Sequence, residues 1–280
     1  MRHPRVAETL YLGIQPLRMD AAPGDDALAW DAYSTREAID FIKQEKGASP
    51  YFLQVFYHSL HAFCRTEGYT TYFSPSEKVC NRMNLDNSLD PTKLKNRYLN
   101  VVKTLDANLA QLFDLLSQPE VMDNSIIIIT SDHGQEFNDN KQNYWGHASN
   151  YSKHQLAVPF LIRWPNRKLQ KSYSHLTTHY DVVPTLLQDV LNCQNNPADY
   201  SIGYSLFDSR ERYPFIAGSY ADMAVLDKHR NTVFKTSGEI VVFDKQQQRL
   251  TKTIDQKAQK YYLSQTLRFT RVRPKGNSTP

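Results

Sequence analysis

The stretch "IIIITSDHGQEF", Ile126 to Phe137, decides how the chain is read. A continuous apolar run, entered through Asn124 and Ser125, ends abruptly in Thr130, Ser131, Asp132, His133 and Gly134. A short run of β-branched residues bounded by turn residues predicts a strand buried on both faces, as in a parallel sheet. In open α/β sheets, ligands bind at the carboxyl ends of the strands. A carboxylate and an imidazole placed there are either a polar turn or part of a metal site. Gly134 is expected to let both face one point by adopting positive φ.

Elements on either side support an α/β class with a mainly parallel sheet and helices on both faces. "STREAIDFIKQE" (34–45) predicts a helix, with Ser34 and Glu37 in a capping-box pattern. "SPYFLQVFYHSLH" (49–61) predicts a strand that ends in two histidines. Residues 62–89 have no period and predict a long ordered loop, which is usually functional in a compact domain. Asp90 and Pro91 open the clearest helix, whose stripe is Leu94, Tyr98, Val101, Leu105, Leu109, Leu112 and Leu116. Lys95, Arg97, Lys103 and Asn108 are expected on its exposed face. Residues 134–153 predict loop and "LAVPFLIRWP" (156–165) a strand. Thr178 and Asp181 form a capping box ahead of a short helix over 178–191. After residue 205 the pattern alternates in period two and predicts a small antiparallel sheet ending near Asp244, then a closing helix.

These elements suggest four regions: a poorly defined segment 1–30, an α/β domain 31–210, an antiparallel subregion with helix 211–265, and a basic tail 266–280.

The chemistry-bearing residues gather at two predicted strand ends. One carries His58 and His61; the other carries Asp132 and His133, with His147 following in "NYWGHASN". Aspartate oxygen and histidine nitrogen suit Zn²⁺ and, with more oxygen, Mn²⁺ or Mg²⁺. A lone Asp-His-Gly is weak evidence. The same tripeptide after an apolar strand, with a Gly-His in the next loop and a His-x-x-His on another strand end, is much stronger. Lys153 stands close enough in sequence to reach an anion. Glu136 and Asp139 are expected to cap the loop, and His154, His175 and His179 to be structural or exposed.

Composition bounds the rest. With 280 residues, 40% hydrophobic, the chain is long enough for a large core. Its net charge of +4 does not point to nucleic acid. Basic residues thicken at 163–172 and 267–280, which is either solvated surface or contact with an anionic partner such as a lipid headgroup layer. No apolar run approaches the roughly 20 residues of a membrane helix, and no export signal precedes the domain. The three cysteines lack C-x-x-C spacing, against structural zinc. Cys64 and Cys80 flank one loop and could pair in an oxidising compartment, which would leave Cys193 single; three cysteines do not fix the compartment.

At this point "YLNVVKTLDANLAQLFDLL", "DNSIIIITSDHGQEF", "VPFLIRWP" and "YDVVPTLL", in that order, resemble the second half of the sulfatase branch of the alkaline phosphatase superfamily. The likeness covers roughly residues 30–210 and is nearest to an inner-membrane type with a periplasmic domain of this fold. It implies that Asp132 and His133 are metal ligands, for Mg, Mn, Zn or Ca. It implies that His147 and His61 take part in catalysis, and that His58 and Lys153 bind substrate, a sulfate or phosphate ester. The family's early acidic ligand and its nucleophile find no counterpart in residues 1–30. On that reading the chain is a fragment lacking the N-terminal part of the fold. Two functions follow: a metal-dependent ester hydrolase or transferase, or a non-catalytic module binding lipopolysaccharide or cardiolipin. The resemblance places the whole protein at the periplasmic face of the inner membrane.

Overall fold

The computed structural model describes residues 26–45, 50–168, 172–250 and 255–270. They form two compact units. One comprises the chain through Asn84 together with Ser88–Ile126, and the other comprises Leu85–Asn87 and everything from Ile127 onward.

The first unit is helical. α1 (Ala27–Glu45) and α2 (Thr92–Leu116) pack through Ala38, Ile42, Leu112 and Leu115, joined by Val121 of the short α3 (Pro119–Met122). Each such aliphatic side chain removed from water contributes about 1.5–3 kcal/mol. α1 starts seven residues before the expected Ser34, so Ser34 lies inside it and caps nothing. The apolar face continues backward through Ala27, which a capping-box search starting at Ser34 cannot detect.

Residues 50–58 form no ladder among the described residues. The side chains nevertheless alternate in exposure. Phe52 and Phe56 face out, while Leu53 and Val55 pack on the α1–α2 core. Alternation reports which side of the chain is apolar and leaves the hydrogen-bonding partner undefined.

α2 begins as expected. The Asp90 carboxylate accepts hydrogen bonds from the Thr92 backbone N–H and hydroxyl, at 3.0 and 2.7 Å. Arg97, expected on the exposed face, is instead 1% exposed. Its guanidinium donates to the carbonyls of Phe63, Thr66, Glu77 and Lys78 and to the carboxylate of Glu67, at 2.7–3.1 Å. One turn on, fully buried Asn100 accepts from the amides of Tyr72 and Phe73 and donates to the Phe73 carbonyl. The Cys64–Cys80 disulfide closes the same loop. The loop without a period is thus held by one polar stripe of α2 and one covalent bond.

Among its described residues the second unit holds three antiparallel sheets. β1 (Ile127–Thr130) pairs with β4 (Phe160–Arg163), with Ile127 opposite Arg163 and Thr130 opposite Phe160. β2 (Glu136–Phe137) and β3 (Trp145–Gly146) form a two-residue hairpin inside the expected loop. β5 (Phe215–Gly218), β6 (Asp222–Leu226), β7 (Arg230–Lys235) and β8 (Ile240–Asp244) make a meander that ends at the expected residue. No parallel ladder occurs among the described residues. The isoleucines of β1 are half-buried rather than enclosed on both faces. An apolar run reports the drive to be buried, whereas strand direction depends on how the chain returns.

The meander is covered on one side by α6 (Gln256–Thr270), through Ala258, Tyr261 and Tyr262, with Phe234 and Tyr262 stacked at 4.4 Å. Its other face packs on Tyr151 and Leu156, the segment that holds α4 (Lys153–Leu156). The Thr178–Asp181 capping box is present, and leads through a 3-10 turn into α5 (Val182–Asp189). Buried Asp181 also accepts from the Tyr204 amide and from Arg212, whose guanidinium is equally buried. No described helix is long and apolar enough to cross a membrane.

Candidate functional site

β1 delivers Thr130 at its exposed end, where the threonine hydroxyl contacts the Pro159 carbonyl and His179 Nε2 at 3.0 and 3.1 Å. The chain then turns. Ser131 Oγ donates to the His133 carbonyl, and the Asp132 carboxylate accepts from the His133 amide. His133 Nδ1 lies 2.8 Å from the Gly134 carbonyl. A carbonyl can only accept, so Nδ1 carries a proton, and in the neutral tautomer that leaves Nε2 as the nitrogen able to act as a ligand. That nitrogen lies 3.8 Å from Asp132 Oδ1, and the Asp132 side chain is 70% exposed.

Gly134 does not adopt the positive φ expected of it. It is needed because of a close approach: a Cβ there would sit 2.4 Å from the His154 carbonyl oxygen and 3.2 Å from that of Ala157. Its N–H donates to the Gln155 carbonyl at 2.8 Å, which fastens α4 against the turn beside His133. Gly146 does adopt positive φ, at 106°, and delivers His147. The His147 ring stacks on that of His133, with centroids 4.0 Å apart and planes 23° from parallel. Its Nδ1 is 3.1 Å from the side-chain oxygen of Gln135. Asp132, His133 and His147 therefore share one corner of the second unit, and Lys153, exposed, opens α4.

The other two predicted residues belong to the first unit. His58 and His61 have ring centroids 5.5 Å apart, and Trp30 lies 5.8 Å from His58. Sequence reading missed what orients them. Asp31, 1% exposed on α1, accepts from the amides of His58 and Ser59 at 2.6 and 3.2 Å. Burial raises its pKa, and hydrogen bonds from Ser59 and His58 draw it back. Thr35, one turn along α1, contacts the Tyr57 hydroxyl at 3.1 Å. The only sequence signal for Asp31 was its spacing to Thr35, Ala38 and Ile42 on the buried face of a helix that starts earlier than expected.

Glu136 was also undervalued. It is fully buried, and its carboxylate accepts from Asn140, Asn150, Ser152 and Gln155 at 2.7–3.2 Å. The basic stretch after β4 is partly committed too. Arg167 pairs with Asp189 at 2.5 Å and lies 3.7 Å above the Phe207 ring. Lys171 lies outside the described residues. A cavity of about 130 Å³ in the same unit opens on Asp181 and Arg212 between Tyr180, Tyr204, Tyr213 and Tyr261, and none of the predicted site residues lines it.

The donor chemistry at the strand end matches a divalent cation. A carboxylate and a histidine nitrogen are donor types acceptable to Zn²⁺, Mn²⁺ or Mg²⁺. Among the described residues no group of three or more His, Cys, Asp or Glu side chains converges, so the corner presents two such donors and not a complete ligand set.

Comparison with known proteins agrees with this architecture. An inner membrane protein, YejM of Salmonella typhimurium, is 27% identical over 188 residues, 67% of this chain and 30% of that protein. A protein of the alkaline phosphatase superfamily from Vibrio parahaemolyticus superposes with a TM-score of 0.55 at 20% identity, over 88% of this chain and 56% of that one. A phosphonate monoester hydrolase of Agrobacterium radiobacter does so with a TM-score of 0.58 at 18% identity, over 91% and 63%. The match thus spans under a third of YejM and somewhat over half of the two solved chains. These likenesses show the α/β fold of the alkaline phosphatase and sulfatase superfamily. Residues 10–190 match the Sulfatase family model, and the chain belongs to that family.

Proposed function

We propose that this chain supplies part of a metal-dependent site for a sulfate or phosphate ester. The observation that carries the reading is the Asp132–His133 pair at the end of β1, with His147 stacked on His133. Asp132 and His133 are assigned as ligands of a divalent cation, Mg, Mn, Zn or Ca. Such an ion, when bound, polarises the ester and lowers the pKa of a coordinated nucleophile. The side chains of the site have separate tasks. Within the second unit His147 is assigned to the oxygens on which charge accumulates; the resemblance gives His61, in the first unit, a catalytic task that is taken separately. Lys153 is assigned to hold the anionic group in the second unit, and the substrate-binding task that the resemblance gives His58 belongs to the first unit. The stack on His133 and the hydrogen bond to Gln135 limit the orientations open to His147, which reduces the reorganisation needed during the reaction.

The reading is tested by metal content. The purified chain, loaded with Mn²⁺ and desalted, is expected to retain the ion, and Asp132→Ala and His133→Ala are expected to lose it. Unchanged retention in both variants would remove the assignment.

A second reading is supported by the match to an inner membrane protein. It makes the whole protein a non-catalytic module at the periplasmic face of the inner membrane, with an anionic lipid, lipopolysaccharide or cardiolipin, as partner. The two readings separate on one measurement. An ester-cleaving protein turns over a generic aryl sulfate or phosphate ester and slows when His147 is replaced. A regulatory module binds anionic vesicles without turnover.

A further inference from the structure

Glu136 presents a problem that the reading above leaves open. A carboxylate at 0% exposure ordinarily faces a cation, because burying an uncompensated charge is costly. Every partner of Glu136 is neutral: Asn140 at 2.9 Å, Asn150 at 2.8 Å, Ser152 at 3.2 Å and Gln155 at 2.7 Å.

Two of the three amide orientations are settled by neighbouring backbone groups. Gln155 Oε1 accepts the amides of Ser149 and Asn150, which can only donate, so Gln155 Nε2 points at Glu136. Asn150 Oδ1 accepts the Ser152 amide, so Asn150 Nδ2 also points at Glu136. Glu136 Oε2 thus receives three donors and Oε1 a fourth, the pattern of an acceptor-only carboxylate.

Three of these four partners are parts that build the strand-end corner. Gln155 lies in α4, and its carbonyl accepts the Gly134 N–H next to His133. Asn150 and Ser152 follow His147 and lead into Lys153. Glu136 itself stands opposite Gly146 in the β2–β3 hairpin, one residue before His147. One buried carboxylate therefore joins the arm carrying His133, the arm carrying His147 and the turn carrying Lys153.

We infer that Glu136 is the positioning residue of the Asp132–His133–His147 corner, and that its buried negative charge is matched by the cation held there. The inference rests on the metal reading above. Outer partners that orient ligands typically change metal affinity by 10–100-fold when removed. Glutamine has the same shape, but it turns one acceptor into an N–H₂ group facing other N–H donors and removes the charge.

The test is Mn²⁺ affinity of the folded 280-residue chain, measured by calorimetry, with thermal melting of the metal-free protein in parallel. Glu136→Gln is expected to weaken Mn²⁺ at least tenfold. Ser152→Ala, which removes one donor and no charge, is expected to weaken Mn²⁺ by less than about tenfold. If Glu136→Gln does not fold, Asn140→Lys provides the charge test: a half-buried ammonium beside Oε1 should neutralise the carboxylate and weaken Mn²⁺ to a similar degree. The inference is overturned if the folded charge variant binds Mn²⁺ like wild type while Asp132→Ala does not, whatever happens to melting. If Asp132→Ala also binds Mn²⁺ like wild type, the metal reading itself has failed.

Discussion

At the scale of single residues, the position that departs most from its sequence reading is Gly134. A glycine after a polar strand end suggests a backbone turn with positive φ, yet here the constraint comes from contact with a neighbouring segment. The nearest atoms are backbone carbonyl oxygens of His154 and Ala157, which cannot swing aside as a side-chain tip can. Gly134→Ala is therefore expected to push α4 off the turn and destabilise the chain by about 1–3 kcal/mol. The shift should appear in the urea midpoint. An unchanged midpoint would mean that α4 moves freely. By contrast, Ala148 adopts φ of 59° without a glycine's freedom, one residue after His147. Non-glycine residues in that region cost roughly 1 kcal/mol or more, a strain that the packed hairpin sustains.

At the scale of elements, α2 shows how one helix carries two patterns. Its leucine stripe was legible because apolar residues at spacings of three and four have a single common use. Arg97 and Asn100 share that spacing, but their burial depends on a loop whose carbonyls and amides are brought to the helix from residues 63–78. No local pattern predicts a buried guanidinium, since arginine on a helix is usually solvated. Arg97→Met keeps most of the volume and leaves at least four carbonyls without their donor. The expected loss is at least about 3 kcal/mol, since each buried carbonyl left unmet costs about 1–3 kcal/mol. Urea denaturation of the oxidised protein measures it, and a loss below about 1 kcal/mol would show that water replaces the guanidinium. The Cys64–Cys80 bond answers a question the sequence left open: the flanking cysteines do pair, and Cys193 stays free.

At the scale of the whole molecule, stability and ligand binding are linked. A cation held by the native chain and absent from the unfolded one adds about 2.7 kcal/mol at a hundred times its Kd. Mn²⁺ is expected to raise the stability of the wild-type chain by that order and to leave Asp132→Ala unmoved. Equal stabilisation of both proteins would place the ion elsewhere.

The sequence by itself determined the family, the helix stripe, the antiparallel meander ending at Asp244, the capping box at Thr178 and Asp181, and which residue types stand at the end of β1. These are local properties, written in periodicity, turn chemistry and a short motif, and each needs only a few neighbouring residues to be read. Only the tertiary structure decided that β1 meets β4 antiparallel, that His133 and His147 stack, and that Asp31, Arg97 and Glu136 are buried nodes. Those outcomes depend on which distant backbone groups arrive with unmet hydrogen bonds. A buried polar residue is specified by its partners, and for these three the partners lie up to 34 positions away along the chain.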